Sequence, residues 1–282
     1  MTDQTSRTGG LGRDIAQIVL SSRPISWINT AFPFAAAYLL STREVDATFV
    51  IGTLYFLVPY NLAMYGINDV FDYASDLANP RKGGIEGALL SPRIHRATLW
   101  AAAATNVPFL VYLFAVLAYS APVLRFKERP FLDSVTSSTH FVSPALVGLS
   151  LAGAPVTTTS VLVLVAFFLW GMAAHAFGAV QDVVPDREGG ISSIATALGA
   201  ARTVRLALAC WAAAGVLMLF TGLPGALAAV LALPYLWAAA PYHSVSDAES
   251  GVANRGWRHF LWINYACGFV VTMLLIWYAI GR

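Results

Sequence analysis

Apolar runs of about one bilayer thickness alternate along this chain with short polar stretches. Seven stand out: 24–41, 47–68, 131–152, 158–180, 202–221, 223–241 and 258–280, each bounded by charge, Pro or Gly. A helix needs about 20 apolar residues to cross about 30 Å of hydrocarbon, so each run predicts a membrane-spanning helix. An eighth apolar stretch, 97–119, has basic flanks at both ends: Arg93 and Arg96 before it, Arg125, Lys127 and Arg129 after it. One crossing would separate those flanks, whereas two crossings leave about 11 residues each, half a bilayer. Pro108, in Asn106-Val107-Pro108, disfavours a straight helix there. The stretch therefore reads as a shallow re-entrant pair.

Composition agrees with the pattern. The chain has 282 residues, of which 57% are hydrophobic and 11% charged, against roughly 25% charged in a soluble domain. An integral membrane protein follows, with all-α architecture and no visible repeat or second domain over residues 1–282. The net charge of +2 does not suggest nucleic acid as a partner. Cys210 and Cys267 lie far apart in apolar runs, without metal or redox spacing. The polar start, residues 1–22, lacks a compact apolar stretch before a small-residue cleavage site, so no removable signal peptide is read.

Basic residues orient the chain. Of its 17 Lys and Arg, all but Arg43 and Arg282 fall in the N-terminus or in the loops 69–96, 120–130, 182–205 and 242–258. The positive-inside rule assigns all five places to the cytoplasm of a multi-pass cell-membrane protein. Helix pairs 24–41/47–68, 131–152/158–180 and 202–221/223–241 then leave and return through short, charge-poor outer turns.

Candidate chemistry lies at the inner ends. In Asn68-Asp69-Val70-Phe71-Asp72-Tyr73-Ala74-Ser75-Asp76, positions 69, 72 and 76 predict three carboxylates on one helical face, with Asn68, Asp72 and Asp76 at i, i+4 and i+8. Stacked carboxylates repel, more so beside apolar surroundings, so a cation is expected among them. Oxygen ligands suit magnesium, which uses one or two carboxylates plus substrate phosphates. A second pair, Asp182 and Asp186, follows the 158–180 run one helical turn apart, in Gln181-Asp182-Val183-Val184-Pro185-Asp186, with Pro185 and Gly189-Gly190 signalling a helix end and turn. Arg81 and Lys82 follow the first motif, and Arg125, Lys127 and Arg129 follow Tyr119-Ser120-Ala121-Pro122. Acidic clusters holding magnesium, with bases for phosphate oxygens, match what a departing diphosphate needs.

This ordered triple of motifs resembles the UbiA superfamily of intramembrane prenyltransferases over nearly the whole chain. The resemblance implies a bundle of eight or nine transmembrane helices with a cytoplasmic-side active site. It implies two magnesium ions on an isoprenyl diphosphate, held by Asn68, Asp69, Asp72, Asp76, Asp182 and Asp186. The diphosphate would meet Arg81, Lys82, Arg125 and Lys127, and the substrate also Tyr73, Ser120 and Gln181; Tyr119 and Lys127 fill the family's Tyr and Lys positions. The stretches Asn79 to Ala88, Tyr119 to Pro130, Ser137 to Phe141 and Ser192 to Thr196 look like the lycopene elongases of C50 carotenoid pathways. Those enzymes add a C5 unit from dimethylallyl diphosphate to lycopene, typically at each end and with hydration. Some carotenoid enzymes work in pairs, so partner carotenoid enzyme subunits enter the expectation. The resemblance also shows a departure, because the stretch between the first Asp motif and Tyr119 is shorter than the two spans the family places there.

An allylic cation formed on diphosphate loss needs exclusion of water and electron-rich neighbours, for which Tyr119 and Phe71 or Tyr73 are candidates. His140 and His175, inside apolar runs, read as packed side chains rather than bases. The rival within the enzyme class is a prenyltransferase with a longer donor and an aromatic or other lipid acceptor. The rival outside it is a transporter, whose sites lie near the midplane on broken helices, unlike these motifs at helix ends.

Overall fold

A computed structural model describes residues 10–73, 77, 88–106 and 124–281. Asp76, Arg81, Lys82, Tyr119 and Ser120 lie outside the described residues. All regular elements among those described are helical, and the chain divides into two compact units.

The first unit draws on residues 1–35 and 44–125. It contains α1 (Leu11–Ser21), the start of α2 (Ile28–Thr42), α3 (Ala47–Phe71) and α4 (His95–Asn106). The 47–68 run is not a plain α-helix. Pro59 lacks an N–H, so the regular ladder stops at Leu57, with Val58 at φ −120°. A π turn, Leu62–Gly66, precedes the last helical turn, Ile67–Phe71. Asn61 repairs the break: its Nδ2 donates to Phe56 O at 2.8 Å, Leu57 O at 3.1 Å and Thr30 Oγ1 at 2.7 Å. Around it Phe34, Phe56 and Tyr60 pack with ring centroids 5.2 Å apart in each successive pair. Gly52 is required there, because a Cβ would fall 2.1 Å from the Phe34 ring.

The 97–119 stretch appears as α4, whose 12 residues rise about 18 Å; residues 107–119 lie outside the described residues. Asn106 closes the helix, donating to Ala102 O at 2.8 Å and Pro59 O at 3.0 Å while accepting from Tyr55 Oη at 2.7 Å.

The second unit draws on residues 36–43 and 126–282. Its helices are α5 (Leu132–Leu151), α6 (Thr158–Val180), α7 (Val183–Glu188), α8 (Ile194–Leu198), α9 (Ala200–Leu219), α10 (Gly225–Tyr242) and α11 (Ser250–Ile280). α6 is its axis, packing against α9 and α5. The core is aromatic: Trp211 stacks on Tyr235 at 5.5 Å, Tyr235 meets Phe260 at 5.6 Å and Trp257 stacks on Phe260 at 4.6 Å. Small residues admit close crossings; a Cβ on Gly171 would stand 2.5 Å from Ser138 Oγ, which bonds Phe168 O at 2.6 Å.

Among the described residues five helices are long and apolar enough to cross a membrane: α3, α6, α9, α10 and α11. α5 has the length, but it carries Asp133, His140, Pro144 and several hydroxyls. α10 opens as a 3₁₀ stretch, Gly225–Leu231, rather than the α-helix its apolar run predicts. Large apolar side chains on the outside, among them Trp262, Phe269, Leu233 and Trp237, suit hydrocarbon and not water. The chain is an integral membrane protein.

Candidate active site

The first acidic motif forms the end of α3. Asp72 N donates to Asn68 O at 2.9 Å, but Asp72 itself (φ −91°, ψ −2°) has left ideal helical geometry. Two acids of the expected face meet different arginines. Asp69 is only 1% exposed and its Oδ1 lies 3.0 Å from Arg23 Nη2. Asp72 keeps partial exposure and its Oδ1 lies 3.8 Å from Arg125 Nη2.

Both arginines hold unusual backbones, Arg23 at φ 52° and Arg125 at φ 40°. A left-handed conformation costs a non-glycine residue roughly 1–2 kcal/mol. Such strain gathers at functional sites and is held by the surrounding structure. Here Arg23 sits between α1 and the turn Pro24–Ser26, with its guanidinium 4.5 Å over the Tyr65 ring. Tyr73 meets the His95 ring edge-on at 4.9 Å.

In the second unit, Lys127 sits in the 3₁₀ turn Phe126–Glu128. The second acidic motif is a separate short helix, not the end of α6. Gln181 closes α6, Asp182 is the N-terminal cap residue of α7, and Asp186 N returns to Asp182 O at 2.8 Å. Pro185 therefore opens a helix instead of ending one, which its missing N–H permits in a first turn. Gly190, at φ 69°, makes the turn beyond α7. Gln181, expected at the substrate, instead uses both ends of its amide within the protein. It donates to Gly178 O at 3.0 Å and accepts from Asn254 Nδ2.

Two acids that sequence reading passed over hold this region. Asp247 accepts from Ala200 N at 2.7 Å and from Arg187 Nη1 at 2.6 Å, while Arg187 Nη2 donates to Thr196 O at 2.9 Å. The bond from the Ala200 N–H, with help from Arg187, holds the Asp247 carboxyl below the usual carboxylate range, against a smaller opposing effect of burial. Asp133, fully buried, accepts from Ser134 N and from Ile194 N, both at 2.7 Å. Ser134 Oγ in turn lies 3.0 Å from His175 Nδ1. Neither acid belongs to a repeating spacing, so only their lone occurrence beside apolar runs could have drawn notice.

Asp72 in the first unit, and Asp182 and Asp186 in the second, each offer oxygen donors of the kind that suits a hard divalent cation rather than a thiolate or imidazole site. Among the described residues no three His, Cys, Asp or Glu side chains converge as a metal cluster; Asp76 lies outside them.

The UbiA prenyltransferase family matches residues 30–264. A lycopene elongase/hydratase of Corynebacterium glutamicum is 51% identical, covering 93% of this chain and 97% of that protein. A C50 β-cyclic carotenoid biosynthesis protein of Dietzia is 53% identical over 98% of this chain and 67% of its own length. Among solved structures, a UbiA homologue from Archaeoglobus fulgidus bound to DMAPP and Mg2+ superimposes with a TM-score of 0.61. It is 21% identical, over 89% of this chain and 98% of that one.

Proposed function

The chain belongs to the UbiA prenyltransferase family, and on that premise we propose that it adds a C5 unit from dimethylallyl diphosphate to lycopene, with hydration of the extended end. The observation that carries this reading is the 51% identity, over nearly both full lengths, to a lycopene elongase/hydratase. The A. fulgidus homologue bound to DMAPP and Mg2+ adds support for the donor and the metal.

Asn68, Asp72, Asp76, Asp182 and Asp186 would hold magnesium, as two ions. When bound, the metal neutralises charge on the departing diphosphate. Arg81, Lys82, Arg125 and Lys127 donate to phosphate oxygens, and Ser120 with Tyr119 completes the donor side. Asp69 serves the same motif by fixing the Arg23 guanidinium. Tyr119 and Tyr73 offer ring faces to the allylic cation. The C1–O bond breaks with its electron pair on the diphosphate. The terminal double bond of lycopene then forms a bond to C1, and the charge passes to a tertiary carbon of the acceptor. The polyene reaches the site laterally from the bilayer, and the clustering of basic residues in the loops supports a cytoplasmic side for the acidic motifs.

Expression in lycopene-producing cells tests this. New C45 and C50 carotenoids are the expected pigments, and metal chelation of isolated membranes should stop their formation. Asp72→Ala and Asp186→Ala should each abolish them with the protein still in the membrane. Unaltered lycopene despite good membrane expression would overturn the acceptor assignment, and full product from either variant would overturn the metal site.

A further inference from the structure

Hydration needs a group to take a proton from water, and the diphosphate machinery contains none assigned to it. We propose that His175, oriented by Ser134, is the base that accepts this proton, an inference that rests on the elongation reading above.

The argument lies within the second unit. His175 precedes Asp182 by seven residues on α6, and Gln181 between them keeps φ −64° and ψ −17°. Asp182 N still bonds Ala179 O at 3.1 Å in the closing turn of α6, so seven residues, about two turns, put His175 on roughly the same side of α6 as Asp182 and about 10 Å deeper along the axis. A donor with its diphosphate at Asp182 and its carbons running inward along α6 would bring the acceptor's cationic carbon toward His175. His175 lies inside an apolar run but keeps part of its surface exposed, unlike His140 at 4% exposure.

Its surroundings are built for one ring orientation. Ser134 is fully buried and its Oγ lies 3.0 Å from Nδ1. With the ring proton on Nδ1, that nitrogen donates to Ser134 and Nε2 keeps its lone pair. Asp133 holds the backbone of Ser134 through a 2.7 Å bond and anchors α8 through Ile194 N at 2.7 Å. Its buried carboxylate also supplies negative charge next to the site where an imidazolium would form.

The step balances. Water oxygen bonds to the tertiary cation, one O–H bond breaks, and its proton moves to Nε2, leaving a tertiary alcohol and an imidazolium. Loss of a C–H proton from the same cation gives the competing alkene.

The test is the partition between those two ends in lycopene-producing cells. His175→Asn retains a donor for Ser134 and lacks Nε2. Among the elongated carotenoids it forms, the hydroxylated share should fall at least about 10-fold, with alkene ends taking its place. Ser134→Ala should shift the ratio the same way by less, and thermal unfolding of both purified variants reports any structural loss. An unchanged ratio, including one at uniformly lower yield, makes His175 structural and overturns the proposal. So does a parent enzyme whose elongated products carry no hydroxyl. A parent that forms no elongated carotenoid at all sinks the elongation reading instead, and this inference with it.

Discussion

At the scale of single residues, the acidic motif at the end of α3 shows how far spacing carries. Asn68, Asp69, Asp72 and Asp76 were legible because i, i+3, i+4 and i+7 are neighbours on any helix. That Asp69 would turn inward to Arg23, 46 residues earlier, was not legible. The pairing depends on where α3 stops and on a left-handed backbone at Arg23, and neither leaves a local signature. Removing one partner of a buried ion pair leaves the other charge unmet and costs about 3 kcal/mol or more. Asp69→Asn should therefore lower the unfolding temperature of the detergent-solubilised protein by several degrees, even without substrate or metal. An unfolding temperature equal to that of the parent would show that the pair contributes nothing.

At the scale of elements, the helix ends carry the chemistry and the tertiary contacts define the ends. Five of the seven apolar runs coincide with helices long and apolar enough to cross a membrane, but the break at Pro59, its repair by Asn61 and the separate helix α7 came from packing. The crossing of α5 and α6 depends on having no side chain at Gly171. An added Cβ 2.5 Å from Ser138 Oγ would force the helices apart, and overpacking of this kind costs about 1–3 kcal/mol. Gly171→Ala should show that loss as a lower unfolding temperature, and an unchanged value would show that the crossing relaxes freely.

Asp247 ties α7 to the start of α9 and gives that junction a pH dependence. Its folded pKa is depressed, so its contribution is fully present above the ordinary carboxylate range and is lost as pH falls through the lower folded value. Asp247→Asn should flatten the loss of stability on acidification from about pH 5 to below pH 4. Equal acid sensitivity of variant and parent would count against this role. The carboxylate is well exposed, so the change in slope is the measure, not a large change in stability.

For the molecule as a whole, the sequence by itself determined the class of protein, the approximate positions of its five long apolar helices and the enzyme family. Those properties depend on run length, on residue-by-residue polarity and on short helical spacing, all of which are local. The tertiary structure alone decided which charges meet. Arg23 reached Asp69, Asp133 reached the N–H of Ile194 across 61 residues, and Ser134 reached His175 across 41. A buried carboxylate or imidazole must find a partner, but the chain does not announce which one. That choice is made only when helices distant in sequence pack side by side.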